Sequence, residues 1–215
     1  VVNKWSVPQL SNRAKLGWVN LGFRLAHVRP RVQTDVPVVL YPAIYLSAAK
    51  RPDDFSEVVE WVRKQTPIKV EMRLHESHLV SERAMRFSRR DWIWVGPLTA
   101  SRSSYWEALA HTTAFLATAS DESYGLSYVE ALGAGVIGIF PDRPWARALV
   151  PEGYPFFYRD LDEAKEMLLR AVTEPDECRA EMERCVDGTL SDWIAKHHSD
   201  DAFDVSLVAH VKQWF

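Results

Sequence analysis

Thr113-Ala-Phe-Leu-Ala-Thr-Ala-Ser-Asp-Glu-Ser-Tyr-Gly-Leu-Ser-Tyr-Val-Glu-Ala-Leu-Gly-Ala-Gly-Val-Ile-Gly-Ile-Phe140 changes character three times. Thr113–Ala117 is a short apolar run of strand length. Thr118–Gly125 is a loop of hydroxyls, two adjacent carboxylates and a glycine. Tyr124–Ala134 has the spacing of a helix, and Val136–Phe140 is a second apolar run without polar alternation. A strand, a loop, a helix and a second buried strand make a βαβ unit, which requires parallel strands with helices on the sheet faces.

The same alternation extends in both directions. Upstream lie strands at Pro37–Tyr41, Ile68–Leu74 and Asp91–Val95, with helices at Asp53–Gln65, His78–Ser88 and Ser104–His111. Downstream come a short strand at Pro155–Tyr158 and a helix at Leu161–Val172. The expected fold class is α/β, a doubly wound, mostly parallel sheet of Rossmann-like type over residues 35–173. Residues 174–215 read as an acidic helical tail. Residues 1–34 carry six basic side chains and no acid, with Leu10, Ala14, Trp18, Leu21, Leu25 and Val28 at helical spacing. That pattern predicts a basic amphipathic helix, packed on a domain or lying on an anionic membrane surface as a peripheral contact.

Composition narrows the function class. The chain has 215 residues, 47% hydrophobic and 26% charged, enough for one core without metal or disulfide staples. A net charge of −3 gives no case for nucleic-acid binding. No apolar run reaches membrane-spanning length, and Val1–Leu10 has no signal-peptide block. Cys178 and Cys185 sit in a charged, helix-like stretch, which fits two free thiols in a reducing, cytoplasmic compartment.

Ligands of such sheets bind at the carboxyl ends of the strands, which singles out the loop Thr118–Leu126. Its glycine allows close backbone approach, and the helix that follows presents unpaired N–H groups and a positive pole to a phosphate. Glu130 lies one to two turns into that helix, so Glu122 and Glu130 can accept hydrogen bonds from two separate groups of hydroxyls, as on a sugar nucleotide.

Glu122-Ser-Tyr-Gly-Leu-Ser-Tyr-Val-Glu130-Ala-Leu-Gly-Ala-Gly resembles the Glu-x7-Glu signature of retaining GT-B glycosyltransferases of the group 1, or family 4, type. The resemblance covers Pro37 to Val172 and implies a single GT-B half-domain, the one that binds the donor. It implies transfer of a hexosyl unit from a nucleoside diphosphate sugar to an acceptor hydroxyl, with no metal and no cofactor. Glu130 would bind the ribose hydroxyls and Glu122 those of the transferred sugar, Glu122 and Lys50 being the implied catalytic residues, with Ser123 among the substrate-binding ones. The amides around Tyr124, Gly125 and Leu126 would meet sugar and diphosphate. Lys50, with Arg51 beside it, would neutralise the leaving diphosphate, and Leu98 would line the base pocket. The family's arginine five residues before the lysine is replaced by Tyr45, so Lys50, Arg51, Arg143 or Arg147 would carry the charge. An acidic residue common before the last short strand is replaced by Ala148. The chain has room for one half only, so an N-terminal acceptor-binding domain or a partner chain is implied, with transfer weak or absent without it. The alternatives are a non-catalytic nucleotide-sugar-binding or partner domain, and a membrane-docking module using residues 1–34.

Other signals carry plainer readings. Gly133-Ala-Gly-Val-Ile-Gly138 matches a dinucleotide fingerprint, but a helix precedes it and a strand follows, the reverse of the required order. His75-Glu-Ser-His78 lacks a third metal ligand. His197 and His198 read as solvated, Arg83, Arg86, Arg89 and Arg90 as an exposed helix end, and Trp92 and Trp94 as covering the two sheet faces.

Overall fold

The computed structural model describes residues 19–98 and 101–214. Six parallel strands form one sheet in the order β3-β2-β1-β4-β5-β6: β1 (Val38–Tyr41), β2 (Lys69–Leu74), β3 (Ile93–Pro97), β4 (Ala114–Leu116), β5 (Ile137–Pro141) and β6 (Phe157–Tyr158). β4 and β5 sit mid-sheet and are buried at every position, which is why they read as unbroken apolar runs. β2, nearer the edge, alternates, burying Val70, Met72 and Leu74. β3 is one of the two edge strands, and Trp94 there is half exposed under the Arg73 guanidinium rather than covering a core face.

The helices are α1 (Pro52–Gln65), α2 (Glu76–Leu79), α3 (Glu82–Ser88), α4 (Arg102–His111), α5 (Leu126–Gly133), α6 (Pro144–Arg147), α7 (Leu161–Thr173), α8 (Pro175–Glu183), α9 (Leu190–His198) and α10 (Asp200–Trp214). α1 turns Phe55, Val58, Val59 and Val62 into the core. The single helix expected over 78–88 is two short ones. The Ser81 hydroxyl accepts from the Ala84 amide at 3.1 Å and starts a new helix there. α7 is capped by Asp160, whose carboxylate accepts from the amides of Asp162 and Glu163 at 3.0 and 2.9 Å. Asp160→Ala is expected to lower the unfolding free energy by about 1 kcal/mol, read from the urea midpoint.

The three glycines of the rejected fingerprint serve packing and a turn. A Cβ on Gly138 would lie 2.5 Å from the Phe115 ring, and one on Gly133 would lie 2.8 Å from Phe23. Gly135 holds a left-handed turn at φ 74°.

The first eighteen positions of the expected N-terminal helix lie outside the described residues. Residues 19–34 do not continue it: they hold a 3-10 turn at Leu25–His27, the bridge at Phe23 and otherwise no regular secondary structure. Phe23 pairs with Ser199 in a parallel bridge, its amide donating to the His198 carbonyl at 3.0 Å, and its own carbonyl accepts from the Asp200 amide at 3.1 Å. A Cβ on Gly22 would overlap the Ser199 carbonyl, so the close crossing of these segments depends on that glycine. The backbone's bonds go to residues 198–200 rather than into a helix. Among the described residues no helix is long and apolar enough to cross a membrane.

Candidate functional site

Strand order reverses between β1 and β4, so the loops leaving their carboxyl ends bound the crevice where ligands bind in such sheets. The structure ties these two loops together. The Ser120 amide donates to the Ala49 carbonyl at 2.9 Å, and the Thr118 hydroxyl to the Lys50 carbonyl at 2.8 Å. Across them Lys50 pairs with Glu122, both side chains largely buried. The other Glu122 oxygen accepts from the Ser123 amide at 3.1 Å. Gly125 follows at φ 93°, where a Cβ would meet the Tyr128 ring at 2.5 Å. No side chain caps α5, so the first-turn amides of Leu126 and Ser127 remain available to an anion.

Glu130 lies one turn further along α5, only 3% exposed, with Arg102 paired to one of its oxygens. It faces a cavity of about 210 Å3 lined by Tyr41, Pro42, Ile44, Leu98, Arg102 and Tyr105. Leu98 forms part of the mouth, fixed by its amide donating to the Leu74 carbonyl at 2.8 Å. Arg102 stacks over Tyr105 and Trp106 at 5.3 and 5.6 Å. Burial, then the Glu130 charge, holds the Tyr105 hydroxyl well above the usual tyrosine range, so it stays neutral. A carboxylate in a small, mostly apolar cavity, with cations at its rim, suits a group that offers adjacent hydroxyls and leads to phosphate.

The site residues named from the sequence fall into three groups. Lys50, Glu122, Ser123, Gly125 and Leu126 meet at the crevice, and Glu130 and Leu98 share the adjoining cavity. Tyr124 belongs to the same loop but turns its hydroxyl away, to the Leu21 carbonyl at 2.7 Å and to His198 Nδ1 at 2.5 Å. Arg51 is paired with Asp54 at 2.6 Å and is the one non-glycine residue among those described with positive φ, at 47°. Arg147 lies 2.6 Å from Asp142 and over the Phe157 ring, outside the crevice. Tyr45 packs its ring against His75 and His78, at 5.5 and 5.3 Å. His78 accepts from the Leu46 amide at 3.2 Å, and His75 caps α2, so both histidines have structural work.

Arg102, Tyr105 and Arg73, which also lines the cavity, were missed by sequence reasoning. Their common signal is position: each lies at or just after the carboxyl end of β2 or β3.

His198 also departs from its reading as solvated: it is 1% exposed. Burial, with His197 nearby and Leu149's backbone opposing, brings its pKa down to about 4, against 6.5 for an ordinary imidazole. The unfolded chain therefore takes up this proton first as pH falls. The stability held by neutral His198 is complete above pH 6.5 and is lost progressively between 6.5 and 4. Between pH 7 and 5.5 the loss is expected to be about 1 kcal/mol, absent in His198→Phe, by urea midpoints at both values.

Comparison with solved structures identifies the fold. Sucrose-phosphate synthase from Thermosynechococcus elongatus matches with a TM-score of 0.74 at 13% identity, over 100% of this chain and 55% of its own. HepE from Anabaena, in complex with UDP and glucose, matches with 0.69 at 14%, over 89% of this chain and 55% of its own. The pneumococcal O-GlcNAc transferase GtfA, in complex with UDP and GlcNAc, matches with 0.59 at 15%, over 91% and 38%. The chain thus spans between 38% and 55% of these neighbours' lengths, and its fold is the expected one, that of a GT-B half-domain. No family model and no curated protein sequence matches it.

Proposed function

We propose that this chain is the donor-binding half of a glycosyltransferase that takes a nucleoside diphosphate sugar. The observation that carries this reading is the alignment of two carboxylate–cation pairs, Lys50–Glu122 and Arg102–Glu130, along one crevice at the switch point. The ribose enters the cavity and its hydroxyls donate to Glu130. The diphosphate lies between Lys50 and the first-turn amides of α5. The sugar lies against Glu122 and Ser123. UDP in two of the structural neighbours makes a uridine donor the first to try.

The transfer follows from the Glu-x7-Glu resemblance and the arrangement of charge. The bond from the hexosyl anomeric carbon to the phosphate oxygen breaks, and a bond to the acceptor oxygen forms on the same face. The acceptor proton passes to the departing phosphate, so no protein base is assigned. Lys50 and the helix amides stabilise the growing diphosphate charge, and neither a metal nor a cofactor is invoked. The acceptor side comes from an N-terminal domain or a partner chain, in keeping with a neighbour described as a GtfA/B complex.

Titration calorimetry against UDP, GDP, ADP and their hexose conjugates tests the reading. One nucleotide series should bind. A folded chain that binds none of them would overturn it.

A further inference from the structure

The loop that carries Glu122 is held from behind. The Tyr124 hydroxyl donates to the Leu21 carbonyl at 2.7 Å, and His198 Nδ1 lies 2.5 Å from the same oxygen. The two oxygens and Nδ1 form one short chain of hydrogen bonds, whose direction at Nδ1 is set by the tautomer of the ring. Both partners belong to the crossing of residues 20–23 with 197–200. There Phe23 bridges Ser199, the Asn20 side chain donates to the His197 carbonyl at 3.1 Å, and Gly22 lies against the Ser199 backbone. Trp193 stacks on His197 at 4.1 Å and flanks His198. A buried histidine thus connects this crossing to the loop whose next residues are Gly125 and the open first turn of α5.

Resting on the donor-site reading above, we propose that Tyr124 and His198 are positioning residues for the sugar-diphosphate end of the site. Neither touches the reacting atoms. His198 fixes Tyr124, and Tyr124 sets where Glu122, Ser123 and the amides of Gly125 and Leu126 stand when the donor arrives. Glu130 lies on the body of α5, beyond the reach of this link. Loosening the link should therefore weaken the hold on the diphosphate sugar and leave the hold on the nucleoside unchanged. The two segments of the crossing are far apart in sequence; they pack on the far end of α5 through Phe23 against Gly133, and they meet the Glu122 loop at the Tyr124 hydroxyl.

The test uses Tyr124→Phe, which keeps the ring, with His198→Leu and His198→Asn, the last retaining a polar group near Nδ1. All work is done at pH 7.5, where His198 is neutral. The first measurement is hydrogen exchange of the unliganded chain. Amides 122–126 should exchange at least about threefold faster in Tyr124→Phe and His198→Leu, and near the wild-type rate in His198→Asn, with α1 unchanged. The second is affinity for UDP-, GDP- and ADP-glucose against the matching nucleoside monophosphates. The glucose conjugate should weaken about fivefold or more in the first two variants, and the monophosphate less than about twofold, as expected for loss of a positioning hydrogen bond. Unchanged loop exchange would overturn the link, whatever the ligand. Faster exchange with both ligand classes weakened equally, or neither weakened, would overturn the positioning role. Failure of the wild-type chain to bind any nucleotide would show itself before any variant is compared. It would sink the donor-site reading and the positioning role with it, while the exchange data would still report on the link.

Discussion

Glu130→Ala is expected to weaken nucleoside diphosphate binding by about 10- to 100-fold while leaving the fold intact. The carboxylate is buried at the inner wall of a small cavity, where water competes poorly for the hydroxyls it accepts from. Hydrogen bonds to a charged group contribute about 1.5–3 kcal/mol each, and about 1.4 kcal/mol is a factor of ten. The cost to the fold is small because the partner, Arg102, has a side chain 56% exposed and returns to water when the carboxylate is gone. Glu130→Gln should fall between wild type and alanine, since it keeps an acceptor and loses the charge. Calorimetry gives the affinities, and urea unfolding of the same samples separates a binding defect from a folding one. Equal affinity in wild type and Glu130→Ala would remove the nucleoside from this cavity.

Phe115→Ala should be the most damaging single change to the fold, lowering the unfolding free energy by about 3–5 kcal/mol. Phe115 is fully buried on β4, next to the point where strand order reverses. Its ring meets Tyr128 at 5.7 Å and Phe140 at 5.2 Å, and Gly138 leaves the space it fills. Truncation removes the transfer free energy of the ring and leaves a cavity that rigid neighbouring strands cannot close. For a chain of this size the melting temperature should fall by about 10 °C. Val205→Ala on α10, where Val205 is 72% exposed, should change stability by less than about 0.5 kcal/mol. Similar losses at both positions would mean that β4 is not the centre of the core.

The strands were legible because β1, β4 and β5 are buried on both faces, and their unbroken apolar runs have no other economical reading. The placement of Glu122 in the loop and Glu130 on the helix was legible from spacing, since a loop followed by one helix fixes both without help from distant chain. What sequence reasoning missed depends on contacts between distant segments. Arg102 gains its meaning from Glu130, 28 residues away, and its position after β3 does not by itself name that partner. His198 is buried because residues 20–23 pack across it, and adjacency to His197 in a polar stretch points the other way. The segment after residue 19 has helical spacing in Leu21, Leu25 and Val28, yet pairing with Ser199 and Asp200 wins over propensity that Gly22 had already weakened. The break at Ser81 is a capping decision: its hydroxyl begins a second helix where the apolar period alone would run on.

One crevice is expected to hold both ends of a nucleoside diphosphate sugar. Amide chemical-shift mapping of the isotope-labelled chain, titrated with the glucose conjugate that calorimetry selects, tests it most directly. Shifts are expected at Leu98, Ser123–Ser127 and Glu130, together with Lys50 and Ala49. At the opposite ends of the strands, Arg31 and Arg179 line a second cavity of about 260 Å3 with Pro37 and Thr113. Shifts confined to that cavity, or absent from Ser123–Ser127, would rule out a donor site in the crevice.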